Sequence, residues 1–104
     1  MKQTSLIKSN WMFGERVREL RESKGFFLRQ LAAHLEIDTA YVSKIETGGK
    51  NASREQVLGI ASFLEADQDE LLALWMADRV YEIVADEGQA EKALDIVKRR
   101  LKKT

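Results

Sequence analysis

Residues Phe27 to Glu46, FLRQLAAHLEIDTAYVSKIE, carry two helical apolar ladders set almost end to end. Leu28, Leu31, Ala32 and Leu35 follow the three-and-four spacing of one helix face, and after three residues Ala40, Val42 and Ile45 begin a second ladder. Asp38 or Thr39 can cap the second helix by accepting a backbone N–H in its first turn. The second helix therefore starts almost where the first one stops, which holds this part of the chain to two short helices round a tight corner.

A three-residue joint between two short amphipathic helices is helix-turn-helix geometry, in which the second helix enters the major groove of DNA. Ala32 sits in mid first helix, Leu35 and Ile37 flank the turn, and Val42, Ser43, Ile45 and Glu46 lie in the second helix, which ends at Gly48. In these residues the stretch resembles the helix-turn-helix family of phage repressors, Cro proteins and their bacterial relatives, the XRE family. With the preceding FGERVRELRESKG the resemblance spans about Phe13 to Asp69, over half the chain. Two positions depart from the family pattern. Leu28 stands where members usually open the first motif helix with a phosphate-contacting Gln, so one expected DNA contact is missing. Glu36 stands where they usually have a turn Gly, and is expected to bear a modest strain cost with a non-glycine turn geometry.

The 104 residues suffice for one domain whose core folds without staples. There is no Cys and no Pro, which excludes disulfides and thiolate metal sites and fits a reducing cytoplasm. No apolar run approaches the roughly 18 residues of a membrane span, and MKQTSLIKSN lacks the apolar core of a signal peptide. A cytoplasmic protein with no membrane role and no cofactor is expected. The formal charge is zero, yet Met1 to Gln56 holds ten Lys plus Arg against seven acids, Val57 to Glu87 one against eight, and Gly88 to Thr104 six against two. A neutral total thus conceals a basic head, an acidic middle and a basic tail, and DNA responds to the local field.

The expected fold is all-α: a five-helix repressor-like helix-turn-helix head followed by a C-terminal helical dimerisation element. Residues 1–12 read as a flexible lead, 13–69 as the DNA-binding domain and 70–104 as the dimerisation element. Trp11 and Phe13 are expected to dock on the core. The first helix, Phe13 to Lys24, turns Val17 and Leu20 inward and stops at Gly25. Phe26 and Phe27 are expected to plug the core between the first two helices. His34 has no Cys, second His or close carboxylate pair, and reads as a surface residue rather than a metal ligand. The family resemblance implies an ion pair between Arg21 of the first helix and Glu46, which ends the second motif helix. As two solvated charges these residues would be worth under about 1 kcal/mol; the expected arrangement is a partly buried pair whose removal costs about a few kcal/mol by orphaning the partner.

With Val42 and Ile45 facing the core, Thr39, Ala40, Ser43 and Lys44 face outward and are the candidates for base edges. Lys44 suits a guanine acceptor edge or a phosphate, Thr39 and Ser43 short hydrogen bonds, and Ala40 a thymine methyl. Arg29 near one end, with Thr47, Lys50, Asn51 and Arg54 beyond the other, are candidates for phosphate. Tyr41 either touches phosphate beside the groove or packs on the first motif helix. The TGGKNA loop lacks the upstream Gly and following Ser or Thr of a nucleotide-binding loop. Ser53 and Gln56 make a capping box that opens a helix to Leu64, with Val57, Ile60, Ala61 and Leu64 inward.

From Asp67 and Asp69 a fifth helix runs to about Glu87, apolar round too much of its circumference for one packing face. After Gly88 a sixth helix, Ala90 to Lys102, turns Ala90, Ala93, Leu94, Val97 and Leu101 inward at nearly heptad spacing. This hairpin of opposite charges reads as a dimerisation element built on Leu72, Trp75, Met76, Val80, Ile83, Leu94, Val97 and Leu101. The resemblance implies a sequence-specific regulator, a repressor or operon controller, that binds double-stranded DNA as a homodimer. The alternative is an antitoxin-like module whose last two helices bind a different protein. No nucleophile–base pair or metal cluster points to an enzyme.

Overall fold

The computed structural model describes residues 12–103, so the expected lead and the docking of Trp11 fall outside the described residues except at Met12. Six helices follow in order: α1 Phe13–Ser23, α2 Leu28–Leu35, α3 Thr39–Thr47, α4 Arg54–Leu64, α5 Gln68–Val84 and α6 Ala90–Lys102. The described residues contain no strand.

Local chemistry sets the helix ends. Glu15 accepts the Met12 N–H at 3.1 Å and Gln30 accepts the Phe27 N–H at 2.7 Å, each satisfying a donor at a helix start. Ser53 and Gln56 exchange reciprocal bonds of 3.1 and 2.9 Å, the capping box expected from their spacing. Asp67 accepts from Asp69 N and Glu70 N to open α5. At the other ends, α2 and α4 close in the same way, with Glu36 at φ 59° and Glu65 at φ 53°. The next amide then reaches back, Ile37 N to Ala32 O at 3.1 Å and Ala66 N to Ala61 O at 2.9 Å. The turn at Glu36 is therefore the left-handed one a glycine would make, and the expectation of a non-glycine geometry is corrected. Returned carbonyl bonds and the partial burial of the neighbouring Ile37 offset the roughly 1 kcal/mol that a side chain costs there.

The core lies where α1 to α4 meet the first turns of α5. Phe13, Val17, Leu31, Ala32, Val42, Ile45, Val57, Ile60, Ala61, Leu64 and Leu71 are all buried. α1 packs on α3, α4 and α5, and α2 on α3 and α4, which completes the five-helix head. Phe26 packs against this core with its ring 4.6 Å from that of Phe63. Phe27 does not: it is 58% exposed, contrary to the expectation of a second plug. The reason is local, because Phe27 is extended at φ −88° and ψ 158°, and neighbouring side chains of an extended chain point opposite ways.

α5 ends at Val84, three residues short of the expected Glu87, and Ala85 to Gln89 form the link to α6. Leu71 is buried and Leu72, Leu74 and Trp75 pack partly on the head, whereas Met76, Val80, Tyr81 and Ile83 stay exposed. No residue of α6 is buried, so Ala93, Val97 and Leu101 do not turn inward within one chain. Of the ladder, Ala90 and Leu94 are half-buried, whereas Ala93, Val97 and Leu101 are exposed, as is Ile96.

Candidate nucleic-acid interface

α3 has one face locked and one face open. Val42, Ile45 and Glu46 are buried, while Thr39, Ala40 and Lys44 are exposed and Ser43 is half-buried. The four candidate base-reading side chains thus lie on or beside the outer face of a helix whose inner face is fixed. Arg21 and Glu46, 7% and 5% exposed, do much of the fixing. Arg21 Nε and Nη2 donate to the two Glu46 carboxylate oxygens at 2.8 and 3.1 Å, and Nη1 donates to the Phe26 carbonyl at 2.7 Å. The hydrogen bond to Glu46 raises the Arg21 pKa, against the lowering effect of burial. The guanidinium is therefore a permanent charge, and every buried side-chain polar atom of the described residues has a partner.

The loop after α3 continues the exposed row. Gly48 at φ 89° ends the helix, and Gly49 N and Lys50 N both donate to Lys44 O, at 2.8 and 3.2 Å. Thr47 Oγ1 donates to the same carbonyl at 3.3 Å, and Tyr41 Oη donates to Asn51 O at 3.3 Å. Of the two placements open to Tyr41, the ring packs against the core while its hydroxyl holds the loop, and this leaves Lys50 and Asn51 exposed. Trp75 of α5 braces the loop from behind: its indole N–H donates to Ala52 O at 2.8 Å. That tie was missed in the sequence, although the indole of a half-buried Trp needs an acceptor. Trp75, expected at a dimer interface, is thus engaged within its own chain.

The cations of the head divide by partner. Arg16 pairs with Glu70 at 2.6 Å and with Glu19 at 2.8 Å, Arg18 with Glu22 at 3.1 Å, and Arg21 with Glu46. Arg29, Lys44, Lys50 and Arg54 have no carboxylate partner among the described residues. Arg16 and Arg21 tie α1 to α5 and α3, whereas Arg18 and Glu22 pair along the exposed side of α1; Arg29, Lys44, Lys50 and Arg54 are exposed on α2, on α3, in the loop after it and at the start of α4. Asp78 adds a further tie between α5 and α1 by accepting the Phe13 N–H at 3.0 Å. Burial pushes its carboxyl above the usual range, the Phe13 bond opposes this, and Glu82 and Glu15 add to the push.

His34 is exposed, with its ring 5.1 Å from that of Phe63. No group of three or more His, Cys, Asp or Glu side chains among the described residues is placed to hold a metal. No described helix is long and apolar enough to cross a membrane.

The profile of the helix-turn-helix domain family matches residues 12–74, which runs from the start of α1 into α5. Among solved structures the chain is similar to the restriction-modification controller protein C.AhdI from Aeromonas hydrophila. The two share 37% identity at a TM-score of 0.54, over 65% of this chain and 97% of that one. A search of curated proteins gives no match.

Proposed function

Because the chain belongs to the helix-turn-helix domain family, of the phage-repressor and Cro-like (XRE) type, we propose that it regulates transcription by binding an inverted-repeat operator as a homodimer. Its action is that of a repressor or operon controller, by occupancy of the site. The observation that carries this reading is the open face of α3, with Thr39, Ala40, Ser43 and Lys44 held at fixed orientation by the buried Arg21–Glu46 pair. Lys44 reads a guanine edge or a phosphate, and Arg29, Lys50, Asn51 and Arg54 set the register on the backbone. Similarity to a restriction-modification controller supports a role in controlling a neighbouring operon.

Support for the dimer comes from the far half of α5. Leu72, Met76, Val80 and Ile83 fall on one helical stripe, and the last of them is 75% exposed. α6 adds Leu94 and Val97 with the exposed Leu101. Apolar faces of this kind are characteristic of association surfaces. Residues 13–69 then form the reading head and 70–104 the dimerisation element, with α5 shared between them. Two heads related by a two-fold axis place their α3 helices in successive major grooves, about 34 to 36 Å apart.

Sedimentation at micromolar concentration tests the dimer. The wild type should run as a dimer and a Met76→Asp/Ile83→Asp variant as a folded monomer. A wild type that stays monomeric would contradict the homodimer and shift the reading of α5 and α6 to a second protein.

A further inference from the structure

The five arginines of the head sort into two groups. Arg16, Arg18 and Arg21 meet carboxylates, whereas Arg29 and Arg54, which do not, each lie over an aromatic ring. The Arg29 guanidinium carbon is 4.6 Å from the centroid of Phe27, and that of Arg54 is 5.5 Å from the centroid of Trp75, a ring it shares with Arg79 of α5 at 4.8 Å. These two arginines precede and follow α3 in the chain, and both are placed on phosphate by the function proposed above, on which this inference rests.

A carboxylate partner fixes an arginine by occupying its N–H groups and cancelling its charge. An aromatic face fixes it through the ring quadrupole and occupies none of them. The Arg29 and Arg54 side chains make no hydrogen bond or ion pair among the described residues, so their donors are available for a bidentate contact with a phosphate. Phe27 is otherwise hard to account for. It is an exposed aromatic at the residue preceding a helix, where Ser, Thr, Asp or Asn is favoured, and it lies outside the core cluster. We propose that Phe27 and Trp75 are positioning residues that hold Arg29 and Arg54 in place for DNA phosphates while leaving their charge and donors unspent.

Phe27 offers the cleaner test because little of it is buried in the fold. Binding of a fluorescent duplex of arbitrary sequence would be followed by anisotropy across a salt series for the full chain. The variants are Phe27→Ala, Phe27→Leu, Phe27→Tyr, Arg29→Ala and the Phe27→Ala/Arg29→Ala double variant, each checked for an unchanged thermal midpoint. Phe27→Ala and Phe27→Leu should weaken binding about two- to fivefold, and Phe27→Tyr should restore it, because only the ring face attracts the cation. The double variant should bind no worse than Arg29→Ala. Full affinity in Phe27→Leu, or additive losses in the double variant, would overturn the positioning role. An Arg29→Ala variant with unchanged affinity and salt slope would instead overturn the phosphate assignment of Arg29 itself.

Discussion

Arg21 of α1 grips both carboxylate oxygens of Glu46 in α3, at 2.8 and 3.1 Å, in a setting where each residue is more than nine-tenths buried. Removing one partner strands the other charge away from water, so Glu46→Gln should cost about 3 to 5 kcal/mol by denaturant titration. The double change Arg21→Met/Glu46→Leu should recover most of that loss, since it leaves no orphaned ion. A single-variant loss below about 1 kcal/mol would place the pair with ordinary solvated ones.

Gly14 tests how tightly α1 and α3 pack. A Cβ added there would overlap the carbonyl oxygens of Ile45 and Glu46, which are backbone atoms and cannot swing aside. Gly14→Ala should therefore cost about 3 kcal/mol or more, in line with overpacking of a close contact. Gly88→Ala, in open space without a positive φ, should stay within about 0.5 kcal/mol of the parent. Thermal midpoints of the two variants decide the matter, and equal losses would contradict the close approach.

Asp78 predicts a pH dependence of unusual sign for a carboxylate. Its folded-state pKa is raised, chiefly by burial, so between the ordinary carboxylate value and the raised one the folded chain binds more protons than the unfolded chain. Its contribution to stability is then greatest in acid and declines as pH rises through that window. Asp78→Asn keeps an oxygen to accept the Phe13 N–H without the titration. Parallel denaturant titrations from about pH 3 to pH 7 should show the parent losing ground to the variant as pH rises; the reverse trend would contradict this assignment.

Base and phosphate contacts separate by how they discriminate. Lys44→Ala should weaken binding to the selected site by about 1 to 3 kcal/mol and relax preference at one position. Arg54→Ala should weaken all duplexes alike and lower the slope of log affinity against log salt by about 1. Anisotropy titrations on specific and scrambled duplexes distinguish the two, and an unchanged slope in Arg54→Ala would remove it from the phosphate.

The head was legible because its signals are local and concordant. The ladders of α2 and α3 and the inward sets of α1 and α4 fix helix faces by periodicity, and the Ser53–Gln56 box marks where α4 starts. What escaped were facts that depend on distant residues. The Trp75 indole finds its acceptor 23 residues away at Ala52, and Arg16 finds Glu70 across 54 residues. Phe26 and Phe27 are alike in type, and only the extended backbone between them decides which turns inward. The apolar ladder of α6 is plain in the sequence as a pattern, but periodicity does not say which surface, if any within the same chain, covers it.

The measurement that bears most directly on the central claim is selection of bound duplexes from a random pool at about 0.15 M salt, with the recovered sequences scored for symmetry. Two inverted half-sites about one helical turn apart are the predicted result, one for each α3 of a dimer. Recovery of no sequence above background, or of a single asymmetric half-site, would contradict a dimeric, sequence-reading regulator.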